Sequence, residues 1–219
     1  MPALTLTVSV AGNAPSSVTN TATVSYNMPE TNPANNTAND PTTIIQTTST
    51  ALTASAGTVT YGTSQTFTAT VTSGGSAVTG GTVTFTDTTT AVTLASNVAL
   101  NGSGQAATSV VLAAGSHNIQ ATYNPDAGHA GSSNNTGVTV NKAALTVTGD
   151  PKTIAYPAAA PAFTATITGF VNADTPAVVS GAASLSSNAT TTNGNPNAGA
   201  WTITPAVGTL AASNYTFKP

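Results

Sequence analysis

The sequence predicts an all-β chain of tandem immunoglobulin-like β-sandwich modules in an elongated array. Three observations lead there. Apolar residues alternate with threonine in phrases such as TFTATV and GTVTFTD, the period-2 pattern of strands with one buried face. Glycine, serine and asparagine interrupt that alternation about every ten residues, as a sandwich of short antiparallel strands requires. Only 4% of the residues are charged, yet 39% are apolar and the net charge is −3, a balance that favours a packed core over disorder.

The same composition excludes whole classes of function. There is no arginine, and the only lysines are Lys142, Lys152 and Lys218. Nucleic acid needs a cationic face that releases counterions, and three scattered lysines cannot build one. An anionic membrane surface is disfavoured for the same reason. No stretch approaches the roughly 20 apolar residues of a transmembrane helix, so no membrane insertion is expected. The opening MPALTLTVSVAG lacks the basic n-region and continuous apolar core of a signal peptide. The expectation is that such a peptide has been removed or that this is a segment of a longer polypeptide, secreted or on a cell surface. Cysteine is absent, so stability must come from core burial and strand pairing and is insensitive to redox conditions.

In chain order, residues 1–47 read as the C-terminal strands of an incomplete β domain. Leu4, Leu6, Val8 and Val10 share one face of a strand, Pro15 marks a turn, and a second strand runs from Val18 to Tyr26 with Ala22, Val24 and Tyr26 alike in direction. MPETNPANNTANDP reads as a polar loop too rich in Asn and Pro for a strand, and TTIIQT leads out of it. Two or three strands close no core alone, so this piece needs a partner. LTLTVSV, SVTNTATVS and ETNPANNTAND resemble the closing strands of a conserved repeat domain of unknown function found in bacterial surface proteins.

Residues 48–141 form the central module. Its apolar positions are Leu52 and Ala54; Val59 and Tyr61; Phe67, Ala69 and Val71; Val83 and Phe85; Val92 and Leu94; Val98 and Leu100; Val110 and Leu112; Ile119, Ala121 and Tyr123; Val138 and Val140. That is seven to nine strands, the complement of an immunoglobulin-like domain. Asn101-Gly102 reads as a hairpin turn, because both residues tolerate positive φ. TYGTSQTFTATV, GTVTFTD, LAAGSHNIQATYNPDAGHAGSSN and VTVNKA resemble the bacterial immunoglobulin-like repeat domains of large surface proteins. One loop departs from that family: Pro125-Asp126 stands where a Gly-Asp pair is usual, with His129 at the aromatic position.

Residues 142–219 follow without a linker. LTVTGDPKTIAYPAAAPAFTATITGFVNADTPAVVSGAASLSSNAT and WTITPAVGTLAASNYTF resemble the MBG domain, a glycine-rich all-β repeat of bacterial extracellular proteins. The resemblance implies one further strand beyond NYTF, so this module is expected to lack its final strand.

No constellation of catalytic, cofactor-binding or metal-ligating residues emerges, and no enzyme and no cofactor are expected. His117, Asp126 and His129 are the one His/Asp grouping, but His117 enters a strand while the other two lie in the loop beyond it, and a metal or general-base site needs convergence. The six acids, Glu30, Asp40, Asp87, Asp126, Asp150 and Asp174, are spread singly, whereas calcium wants several carboxylates together. Asp150 reads as part of a GDP turn. A self-formed Lys–Asn bond needs a buried lysine, and Lys142 at a junction and Lys152 in a turn do not supply one. Sequons occur at Asn35, Asn101, Asn134, Asn188 and Asn214, with Asn35 and Asn134 the most loop-like. Trp201, Tyr123, Phe67 and Phe85 read as core, with Trp201 and Ile203 alternating in a WTIT strand, because only 5% of the chain is aromatic.

The function expected is therefore structural: a stalk or fibre subunit, semi-rigid because the junctions at 47–52 and 140–145 are short. Its partners would be other copies of itself or neighbouring modules, joined head-to-tail by strand complementation at open β edges. The alternative is an adhesin module that takes a glycan or protein through loops such as 27–40 or 124–135.

Overall fold

The computed structural model describes residues 15, 17–25, 27–29, 31–155, 159–192 and 195–219, and divides into two compact units. The first comprises the chain to Ala54 with Phe67–Thr108 and Asn118–Thr136; the second comprises Ser55–Thr66, Ser109–His117 and Gly137–Pro219. The all-β expectation holds: helix is confined, among the described residues, to two short 3-10 turns at Pro33–Asn36 and Pro176–Val178.

The N-terminal segment forms an antiparallel ribbon of β1 (Ser17–Thr23) and β2 (Thr37–Thr43), exposed along its whole length. This overturns the reading of the second half of MPETNPANNTANDP as loop: Thr37–Pro41 are strand. The register explains how proline is tolerated. The Val24 N–H donates to Asn36 O at 2.9 Å, and antiparallel bonding alternates from there, so Thr19 faces Pro41 on a rung without hydrogen bonds. Pro41 therefore forfeits no ladder bond. β1 also ends at Thr23 rather than at Tyr26. Tyr26 and the expected Leu4–Val10 strand lie outside the described residues.

The central module supplies β3 (Ser49–Ala54), β4 (Thr58–Thr60), β5 (Gln65–Ser73), β6 (Ser76–Ala77), β7 (Thr82–Asp87), β8 (Val92–Ala99), β9 (Gln105–Val110), β10 (Gly115–Asn124) and β11 (Ser132–Asn141). One sheet has the order β4-β11-β10-β7-β8; the other joins β3, β5 and β6, with β9 also on β5. Alternation does what it predicts: Phe67, Ala69 and Val71 of β5, Val83 and Phe85 of β7, and Ile119, Ala121 and Tyr123 of β10 are buried, with half-buried threonines, and Gln120 in β10, on the opposite face between them.

Three local expectations change. The strands expected at Val92–Leu94 and Val98–Leu100 merge into one, β8, which ends at Ala99 and stays continuous through a register shift against β7 where Asn97 takes φ 54°. Asn101-Gly102 does not make a hairpin, because β8 pairs with β7 and β9 with β5; the turn carries the chain from one sheet to the other. Its left-handed residue is Gly104 (φ 71°), where a side chain would lie 2.6 Å from Val71 O, and the Asn101 carboxamide instead caps the turn by accepting from the Ser103 and Gln105 N–H groups. Asn134, expected in a loop, lies on β11 and donates to Thr50 O.

The last module contributes β12 (Ala143–Gly149), β13 (Lys152–Ile154), β14 (Ala165–Thr168), β15 (Ser184–Ser187), β16 (Thr191–Thr192), β17 (Asn195–Pro196), β18 (Gly199–Trp201), β19 (Ile203–Ala206) and β20 (Tyr215–Lys218). β12 is central in its sheet, antiparallel to β14 and parallel to β20. It buries Ala143, Leu145 and Val147, and Trp201 meets Phe163 edge-on at 6.4 Å. The WTIT phrase splits between β18, which pairs with β13, and β19, which pairs with β15. Lys152 lies on β13, not in a turn.

Candidate functional site

The most highly organised polar site is within the second unit. It begins with the phrase GFVNADT. Asn172 and Ala173 both take left-handed conformations (φ 57° and 60°), and the Asp174 N–H closes onto Val171 O at 3.0 Å. That is a type I′ turn, and it has alanine where glycine is the residue of choice. A left-handed alanine costs about 1–2 kcal/mol, and such strain concentrates at sites the surroundings hold in place.

The turn directs Asp174 at two tyrosines. Its Oδ2 accepts the Tyr215 hydroxyl at 2.7 Å and the Tyr61 hydroxyl at 3.0 Å. Asn172 Nδ2 donates to the Tyr61 oxygen at 3.3 Å, and the Val171 N–H donates to the Tyr215 oxygen at 3.1 Å. The rings meet edge to face, with centroids 5.4 Å apart, and Phe170 packs against Tyr215 at 5.9 Å. Both tyrosines are buried, Tyr61 8% and Tyr215 2% exposed. Burial, then the neighbouring Asp174 carboxylate, pushes the Tyr215 phenol above its ordinary value of 10.0.

Gly62 follows Tyr61 at φ 92°, and a Cβ there would come 2.6 Å from Val171 Cγ2. Beside it, Asn214 Oδ1 accepts the Ala114 N–H at 2.9 Å while its backbone oxygen accepts the Ala143 N–H at 3.0 Å. The arrangement is suited to holding protein against protein. It presents no exposed nucleophile, and the one carboxylate is occupied by two phenols.

Residues 52–141 match the family model of the bacterial Ig-like domain (group 3). Residues 145–219 match that of the MBG domain (YGX type). The chain carries a bacterial Ig-like domain followed by an MBG domain. Residues 1–51 lie outside both matches. No curated protein was found to match the chain. Domains of these two kinds are typical of bacterial surface proteins and are typically non-catalytic. No helix among the described residues is long and apolar enough to cross a membrane.

The residues singled out in the sequence fall as follows. His117 is buried in β10 of the Ig-like domain, with Nε2 2.9 Å from Ala113 O. Asp126 and His129 pair in the β10–β11 loop at 2.7 Å, and that hydrogen bond, ahead of all else, lowers the Asp126 carboxyl. The same loop grips the chain before β3: the Gln46 N–H donates to Gly128 O, and the Ala130 N–H to Gln46 O. Among the described residues, no three His, Cys, Asp or Glu side chains gather as metal ligands. Asp87 is buried at the end of β7, accepting from the Thr89 N–H and the Thr90 hydroxyl. In the MBG domain Asp150 accepts from the Thr166 hydroxyl, and threonine hydroxyls, Thr164 first, lower its carboxyl. Lys142 is exposed and donates to Ala212 O.

Sequence reasoning missed Asp174, Tyr61 and Tyr215 as a group, treating Asp174 as one scattered acid. It also missed Gln65, fully buried, whose Nε2 donates to Ala56 O and whose carbonyl takes the Ser55 hydroxyl. A signal for the first group was present in GFVNADT and SNYTF, which hold polar residues at turns where a spacer needs only glycine.

Proposed function

We propose that the chain is a stalk or spacer segment of a bacterial surface protein. The hand-off between its domains carries this reading. β11 ends at Asn141 and β12 begins at Ala143, so Lys142 alone separates two paired strands, and its ammonium is tied to Ala212 O. Asn141 pairs with Thr60, and Ala143 with Tyr215. A connection anchored on both sides leaves no slack for the domains to swing on a flexible tether. Small-angle scattering of the full chain is the test, and the profile of a compact globule would overturn the reading.

In this role the segment polymerises head-to-tail through strand addition. Among the described residues β20 is outermost in the order β14-β12-β20 and pairs on one side, an edge of the kind that accepts a strand from a second copy. The alternating LTLTVSV of residues 4–10 is the donor. Electron microscopy of the chain with and without residues 1–26 decides the matter: filaments that persist after the deletion would sink the idea. Adhesion through the loops draws less support, because Asp126, His129 and Asn134 bond within their own domain.

A further inference from the structure

We propose that the MBG loops Phe170–Asp174 and Ser213–Tyr215 form a socket for the Tyr61–Gly62 turn of the Ig-like domain, which couples the two domains so that neither opens at the junction without the other. The idea deepens the stalk reading, but its geometry does not depend on it.

The socket has a definite chemical preference. Its floor is a carboxylate oxygen already holding one phenol, that of Tyr215, and open to a second donor that Tyr61 provides. Its wall is the Tyr215 ring, which meets an incoming aromatic ring in a T-shaped contact. Asn172 supplies a donor to the incoming hydroxyl, so the guest oxygen both gives and receives. Phenylalanine would fill the wall but leave Asp174 short of a partner; serine would reach neither wall nor floor. Glycine must follow, since Val171 occupies the place of any side chain at position 62. The partner that fits is therefore a tyrosine–glycine turn at the end of a β domain. Asn214 adds a bond to the Ala114 N–H that any well-placed backbone amide could make, which supports the docking without selecting for it.

The chain contains its own reporter of this coupling. With no arginine and with Lys218 followed by Pro219, trypsin has two useful sites, Lys142 and Lys152. Cleavage after Lys142 requires Asn141 and Ala143 to leave Thr60 and Tyr215, which flank or form the socket. Cleavage after Lys152 requires β13 to leave β18. In the full chain, Asp174→Ala should speed cutting at Lys142 by about tenfold and Tyr61→Phe by several-fold, since cutting of an open form follows its population. Cutting at Lys152 should stay at the wild-type rate in Tyr61→Phe. Should Asp174→Ala loosen the whole MBG domain and expose both lysines, Tyr61→Phe decides, because its altered atom lies in the other domain. Acceleration confined to Lys142 supports the socket; an unchanged Lys142 rate, or equal acceleration at both sites in Tyr61→Phe, overturns it. A globular scattering profile would remove the stalk reading and leave this result untouched, and an unchanged Lys142 rate would do the reverse.

Discussion

The Tyr215 hydroxyl donates to Asp174 Oδ2 across 2.7 Å, linking a buried strand residue of the MBG domain to the turn that begins 44 residues earlier at Val171. A hydrogen bond to a charged acceptor contributes about 1.5–3 kcal/mol, and the half-buried position of Asp174 puts this one at the lower end. Tyr215→Phe should lower the unfolding free energy by about 1.5 kcal/mol and cost clearly less in an Asp174→Ala background. Urea unfolding of the four proteins in that cycle measures the coupling, and additive losses would show that the two residues act independently.

The same phenol makes the fold sensitive to alkali. Its pKa is raised in the folded state, so its contribution to stability is complete below the ordinary value of 10.0 and is lost as pH rises through the higher folded value. Melting temperatures taken from pH 8 upward should fall beyond about pH 10, and less steeply in Tyr215→Phe. Tyr123, also raised by burial, should account for part of the remaining slope.

Alanine-to-glycine changes normally destabilise, and Ala173→Gly should be an exception. The left-handed turn at φ 60° costs alanine about 1–2 kcal/mol, more than the roughly 0.5–1 kcal/mol of added unfolded-state entropy. A thermal melt should show an unchanged or higher midpoint, whereas Ala121→Gly in the core strand β10 should lower it.

Gly104→Ala should be severe for its size. The new methyl would meet Val71 O at 2.6 Å in a left-handed residue, at the corner where the chain changes sheets. A loss above about 2 kcal/mol is expected from strain and clash together. Chemical denaturation would expose a milder effect as evidence of a looser corner.

Proline placement tests the register of the ribbon. Pro41→Thr should leave amide exchange protection along β1 and β2 intact, because the Thr19–Pro41 rung carries no hydrogen bond. Asp40→Pro falls on the bonded rung opposite Asn20 and should abolish protection there. Equal behaviour of the two variants would mean that the register is shifted.

How much could be read in advance depended on whether the physics was local. Phe67, Ala69 and Val71 announce a buried strand face because side chains alternate across any strand, whatever it pairs with. Trp201 and Tyr123 read as core for a similar reason: a chain with few aromatics needs them inside. The Asn101-Gly102 turn was legible as a turn, but whether it returns to the same sheet is settled by β9 finding β5 rather than β8. Pro41 looked like a strand breaker until its rung was known.

The sequence by itself determined the all-β character and the tandem order of an Ig-like and an MBG domain. These follow from period, composition and short phrases, which each residue carries without reference to distant ones. Only the tertiary structure decided that Asp174 is not a scattered acid but the shared acceptor of Tyr61 and Tyr215, 113 and 41 residues away in the chain. Alternation specifies which face of a strand is buried; it does not specify which hydroxyl the folded chain brings to a carboxylate.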